Sequence, residues 1–228
     1  TGSGSSSSNS GDNYSLSFDG VDDYVDTGIS YTDLAGKSDL TFSFTFKRNS
    51  GLNNGEYQGL ITSQSSGNTQ IVIRITDTDH LEFGFKDLNS NFTAVFFDTE
   101  SIDYDKWYAF KIHLHNDQVE WFLNNNLVEV DDVTFSSLSQ ESNNVPDLSF
   151  GRGNIIYGEF FDGILDEVLV ELGENEIFAN WNFNEGEGTT LTDLSDNDNN
   201  GIISGATWST DVPEILVSAT NDNILSWT

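Results

Sequence analysis

From Leu40 to Phe46 the chain reads Leu-Thr-Phe-Ser-Phe-Thr-Phe, a strict alternation of large apolar and small hydroxyl side chains. Successive side chains of a β-strand point to opposite faces, so Leu40, Phe42, Phe44 and Phe46 share one face, the pattern of a half-buried strand. Short runs of the same kind recur at Gly59–Thr62, Gln70–Ile75, Leu81–Phe85 and Phe92–Phe97, punctuated by Gly, Asn, Ser and Asp. Trp107–His115 and Val119–Leu123 meet across the turn His115-Asn116-Asp117-Gln118, and Asn124-Asn125-Asn126 supplies the next reversal. No segment carries a long i, i+3, i+4, i+7 apolar stripe with caps, so helices are minor. The two prolines, Pro146 and Pro213, fall in loops. Strands at this regular spacing build a sandwich or a barrel, and the expectation is an all-β, two-sheet antiparallel jelly-roll β-sandwich.

At 228 residues the chain is long enough for one such domain. Residues 1–13, rich in Gly and Ser, bury too little apolar surface to offset their ordering entropy and read as a flexible linker. Residues 14–212 are the sandwich, and 213–228 are a tail or the first strand of a next module. Lys plus Arg number 8 against 38 Asp plus Glu, and a formal charge of −30 repels phosphate backbones and anionic lipid surfaces, so no nucleic acid partner is expected. No charged-then-apolar leader and no apolar run near ~18 residues is present, so neither a signal peptide nor membrane insertion is expected. Disulfides and thiolate metal sites are excluded by the lack of cysteine. A chain without methionine that starts at Thr1 points to a segment of a longer polypeptide, whose other domains are its covalent partners. Acidity of this degree suits a saline or calcium-rich setting, secreted or at a cell surface.

Two distant segments carry the most specific information. Ser17-Phe18-Asp19-Gly20-Val21-Asp22-Asp23-Tyr24-Val25 and Phe161-Asp162-Gly163-Ile164-Leu165-Asp166-Glu167-Val168 each alternate apolar and acidic residues and set a carboxylate beside a glycine. If they adjoin, Asp19, the carbonyl of Gly20 and Asp166 supply oxygens of the kind a hard cation such as calcium takes. Asp22, Asp23 and Asp162 are further candidates, but alternation turns Asp22 away from Asp19 and Asp23 unless the chain bends. The two segments resemble the laminin G-like, concanavalin A-like family of jelly-roll sandwiches, in which SFDG-x-DDYV and F-x-G-x-[IL]-DEV strands recur. The resemblance extends to Trp181-Asn182-Phe183-Asn184-Glu185-Gly186-Glu187-Gly188-Thr189-Thr190 and Gly205-Ala206-Thr207-Trp208. In that family this segment often opens the domain. Here it follows the late strand, with too few residues after Trp208 for a second sandwich, which favours completion of the first.

Other constellations are weaker. Asp196-Asn197-Asp198-Asn199-Asn200-Gly201 matches the first half of an EF-hand loop, but Thr207 stands where the bidentate Glu belongs, leaving a plain turn. His113 and His115 project to one face of one strand with no third metal ligand evident nearby, and read as an exposed or hydrogen-bonded pair. Glycosidases of similar architecture, as the resemblance implies, carry E-x-D-x-x-E or E-x-D-x-E; here Leu169 stands between Glu167 and Glu171 where the aspartate is needed. No G-x-S-x-G elbow or phosphate-cradling loop is present, and few basic residues exist to staff a lyase site. Tyr57, Arg152 and Tyr157 lie among turn residues, where aromatic faces stack on sugar rings and guanidinium groups bond hydroxyls. Trp107, Trp121 and Trp181 read as core. These features favour a non-catalytic, calcium-stabilised carbohydrate-binding module that targets a secreted protein to a polysaccharide. An adhesion or spacer module binding protein, and a hydrolase or lyase with an unrecognised site, stand as alternatives.

Overall fold

The computed structural model describes residues 13–49, 57–65, 68–140, 145–154, 156–173 and 176–213. Of the linker expected at 1–13 and the tail at 213–228, all but residues 13 and 213 lie outside the described residues, as does Ile155. Two antiparallel eight-stranded sheets form the domain. In the first, the order is β10 (Asn126–Asp132), β9 (Gln118–Leu123), β8 (Trp107–His115), β3 (Leu40–Arg48), β12 (Asp162–Leu172), β1 (Ser15–Asp19) and β16 (Thr207–Ser209), with β13 (Ile177–Trp181) also paired to β12. The second runs β14 (Thr190–Leu191), β15 (Gly201–Ser204), β2 (Tyr24–Asp26), β11 (Ser149–Phe150), β4 (Gln58–Ser65), β5 (Asn68–Ile75), β6 (Leu81–Lys86) and β7 (Phe92–Phe97). One four-residue helix, α1 (Tyr31–Leu34), is the helical content of the described residues.

The alternation places the core between the sheets. Phe42, Phe44 and Phe46 of β3 are buried, and Phe42 meets Phe83 of β6 with ring centroids 6.3 Å apart. Phe97 of β7 packs edge-on against Phe110 of β8 at 5.0 Å, joining the sheets a second time. Each such ring contributes about 1.5–3 kcal/mol on burial. The turns follow local chemistry: Asn116 and Asp117 adopt φ of 45° and 60°, and Asn124 and Asn125 adopt 50° and 64°, the left-handed pair of a tight hairpin. Trp121 and Trp181 are fully buried. Trp107, expected in the core, instead lies on the outer face, because its partner across the ladder is Lys47, whose Nζ sits 5.6 Å from the ring centroid. Strands β13 to β16 join both sheets of the same sandwich: β13 pairs with β12, β15 with β2, and β16 with β1.

Candidate functional site

The two acidic segments do adjoin, since β1 and β12 pair antiparallel with Asp19 opposite Asp162. That register separates Asp19 from Asp166, which is level with Thr45 of β3 and lies four residues further along, about 13 Å at strand rise. A single cation held by Asp19, Gly20 and Asp166 is therefore corrected by the structure. Instead Gly20, at φ +75°, bends the chain and gathers carboxylate oxygens of Asp19, Asp22 and Asp23 within 4.8 Å of one another. Asp19 Oδ1 accepts from Val21 N–H at 2.8 Å, and Asp23 Oδ2 accepts from Asp19 N–H at 2.9 Å. Burial, aided by the charges of Asp19 and Asp22, raises the Asp23 pKa above its ordinary value against the lowering effect of the Asp19 hydrogen bond. The β15–β16 turn presses on this loop: a Cβ on Gly205, at φ +82°, would lie 1.9 Å from Asp23 Oδ1. Only glycine fits there.

Asp166 occupies a different environment. Between Asp166 and Leu169, Glu167 and Val168 of β12 together oppose Phe44 of β3, and Glu167 takes φ +53° in this bulge. The fully buried Asp166 accepts Glu167 N–H at Oδ1 (2.9 Å) and has no partner at Oδ2. Burial first, and the charge of Glu167 second, push its pKa up to about 8.

Tyr57 immediately precedes β4, and Arg152 and Tyr157 belong to the 151–161 segment. The 151–161 loop folds back on β4, with Gly153 N–H and Gly59 N–H both donating to Glu159 O, at 2.7 and 3.3 Å. Gly59 permits that approach, because a Cβ there would stand 2.3 Å from Gly153 N. The Tyr57 ring lies 3.9 Å from the Arg74 guanidinium, and Arg152 stacks 3.8 Å over Tyr24 while its Nε donates to Ser149 Oγ at 3.2 Å. Tyr157 is 58% exposed beside Ile156 at 66%.

The register reveals a row that sequence reasoning missed. Gly59, Arg74, Glu82 and Phe96 face one another across β4, β5, β6 and β7. Arg74 grips Glu82 with two hydrogen bonds of 3.0 and 3.1 Å and reaches Glu159 at 3.4 Å, all three being nearly buried. Phe92 lays its ring across Gly84, where a Cβ would meet its Cζ at 2.5 Å. Phe92 and Phe96 are 49% and 41% exposed. A fixed ion cluster flanked by presented aromatic rings results. The outward parity of Arg74 and Glu82 in their strands was the available signal; their convergence depended on long-range register.

A family profile described as the concanavalin A-like lectin/glucanases superfamily, of laminin G type, matches residues 19–177. The chain belongs to this superfamily. A search of curated proteins finds no match. Among solved structures, this superfamily member is similar to a candidate carbohydrate-binding protein from Bacteroides ovatus (TM-score 0.65, 16% identity), covering 88% of this chain and 61% of that one. It is also similar to mouse laminin α1 domains LG4-5 (TM-score 0.56, 12% identity), covering 87% of this chain and 47% of that one. The CBM40 of Ruminococcus gnavus IT-sialidase, bound to α2,3-sialyllactose, aligns with TM-score 0.53 and 14% identity over 68% of this chain and 88% of that one. At these identities the likeness is one of fold. This chain spans less than two thirds of the Bacteroides protein and about half of the laminin fragment.

Proposed function

We infer that this domain is a non-catalytic carbohydrate-binding module whose glycan lies along the outer face of the second sheet. The observation that carries the reading is the presentation of Tyr157, Phe92 and Phe96 around the buried Arg74–Glu82–Glu159 cluster. Aromatic rings offer flat apolar faces to sugar C–H surfaces, and the buried ion cluster holds the strands that present them. Two carboxylates against one guanidinium leave the cluster net negative, and with a chain charge of −30 this favours neutral over sulfated or uronate chains. Support comes from the family and from the carbohydrate-binding descriptions of the Bacteroides and Ruminococcus neighbours. The expected setting is a secreted or cell-surface polypeptide with further domains, which the acidic, cysteine-free composition suits.

Calcium belongs to the proposal at Asp19, Asp22 and Asp23. Their carboxylate oxygens crowd within 4.8 Å of one another in one bend, and a hard ion there would offset their mutual repulsion. Asp166 is too remote to join them. A second reading, an adhesion module that binds protein, draws on edge strand β10, where Leu127, Val128 and Val130 stand exposed. Affinity electrophoresis against neutral and anionic polysaccharides distinguishes the two. Retardation by a neutral glycan is expected, weakened roughly three- to tenfold by each of Phe92→Ala and Tyr157→Ala. No retardation by any glycan, or retardation unaltered in the double variant, would refute the assigned face.

A further inference from the structure

The pairing of β8 with β9 supplies what the sequence withheld from the two histidines. Glu120 lies directly opposite His113 and diagonal to His115, on the outer face of the first sheet. Its Oε2 is 3.5 Å from His113 Nδ1 and 3.3 Å from His115 Nε2. The three ligand atoms lie within 4.8 Å of one another, and all three residues are half-buried. Metal–ligand arms of ~2.0–2.1 Å at tetrahedral angles span edges of about 3.4 Å. The two separations from Glu120 match such an edge, and the third lies within 4.8 Å.

We propose that His113, His115 and Glu120 form a binding site for a borderline divalent transition ion, Zn²⁺ in the first instance, with an outward fourth position for water. The ligand set of two imidazoles and one carboxylate suits Zn²⁺ over the hard ions, which take oxygen. A carboxylate behind His113 orients its ring, because Asp39 Oδ1 accepts from Nε2–H at 3.0 Å, which fixes the tautomer and leaves the Nδ1 lone pair facing Glu120. His115 Nε2 is shielded from solvent and makes no hydrogen bond. Asn116 Nδ2 donates to His115 Nδ1 at 2.9 Å, which places the ring proton on Nε2, so ligation through Nε2 requires the Asn116 amide to turn over and accept Nδ1–H at its oxygen. A second adjustment concerns the rings. The two rings stack at 11° with centroids 3.8 Å apart, so their in-plane lone pairs run side by side. Meeting on one ion requires a turn about χ2, a broad and soft torsion. Carboxylates flank the pair, Asp39 on one side and Glu171 beyond Thr41 on the other, and Lys111 stands two residues from His113 on the same face of β8.

This site lies on the opposite sheet from the glycan face, so it stands or falls independently of sugar binding. The test uses metal-stripped protein in buffer holding excess Ca²⁺ and Mg²⁺, which occupy oxygen-only sites. Zn²⁺ is added, and the imidazole resonances of the 3 histidines are followed by NMR, with binding measured by calorimetry. His80, in the β5–β6 turn with Nδ1 on Thr78 Oγ1, serves as internal reference. Zn²⁺ is expected to bind one per chain and to shift His113 and His115 but not His80. Affinity should fall about tenfold or more in His115→Ala and about tenfold in Glu120→Gln. Co²⁺ in place of Zn²⁺ should show the visible absorption of a four-coordinate ion. No shift of His113 and His115, an equal shift of His80, or undiminished affinity in His115→Ala would overturn the proposal. Should a variant misfold, the resonances of the unaltered protein decide the matter.

Discussion

Replacing Asp166 by Asn gives the sharpest test of the energetics inside the first sheet. The native carboxyl keeps its proton up to about 8, against 3.8 for the ordinary value. Below the unfolded value its contribution to stability is fully present; as pH rises toward the folded value the native state alone holds the proton, and that contribution is progressively lost. The slope is about 1.4 kcal/mol per pH unit, and the whole window amounts to at most about 6 kcal/mol. An asparagine side chain at this position keeps the shape and can still accept Glu167 N–H, but it does not titrate, and its amide N–H group stands where Oδ2 found no partner. The protonated parent already leaves one O–H without a partner, and the second N–H of the amide adds another buried donor, at about 1–3 kcal/mol at every pH. Plots of stability against pH for parent and Asp166→Asn should therefore cross between about pH 4.5 and 6, the variant leading by about 2–4 kcal/mol at pH 8. Urea unfolding across that range, with chelator and again with saturating calcium, measures the difference. Because the Asp19 loop is about 13 Å away, the difference curve should be the same in both conditions. Parallel plots for the two proteins would refute the account of Asp166 as a buried, protonated group.

Two further outcomes follow from the same geometry. Calcium at a hundredfold excess over its dissociation constant should stabilise the protein by about 2.7 kcal/mol, and Asp22→Asn should remove most of that gain in a thermal melt with and without chelator; an undiminished response would clear the Asp19–Asp23 bend of any metal role. Gly59→Ala drives a Cβ to 2.3 Å from Gly153 N. Relief requires backbone movement of the 151–161 loop, so a loss of about 1–3 kcal/mol in chemical unfolding is expected together with weaker glycan retention, and an unperturbed melt would show the loop to be free of β4.

Much of the architecture is legible because alternation is a local property. Leu40–Phe46 declares its buried face, and Asn116-Asp117 its turn, without reference to anything distant. The juxtaposition of the Asp19 and Asp166 segments can also be anticipated, since both carry the same pattern. Their register cannot: period two says which face a residue takes, never which residue of another strand stands beside it. That is why pattern alone groups Asp166 with Asp19, whose level partner is Asp162, and why it passes over Glu120 opposite His113. Two local departures are equally hidden. The bend at Gly20 and the bulge at Glu167 each redirect carboxylates against the strand alternation, and both arise from backbone conformations with positive φ that acidic side chains alone do not advertise. Trp107 escapes its expected place for a simpler reason, since an indole on a strand takes whichever side its parity assigns, and here that side carries Lys47 and Asp211.

The pairing of β1 with β16 has a mechanical corollary. Ser15 stands opposite Ser209, so the first and last strands among the described residues run side by side in opposite senses and their outer ends coincide. Tension applied through those two ends would load the ladder bonds in succession, as in opening a zip, and not all at once in shear. Such a domain yields at low force by releasing its final strand while the sheet behind it holds.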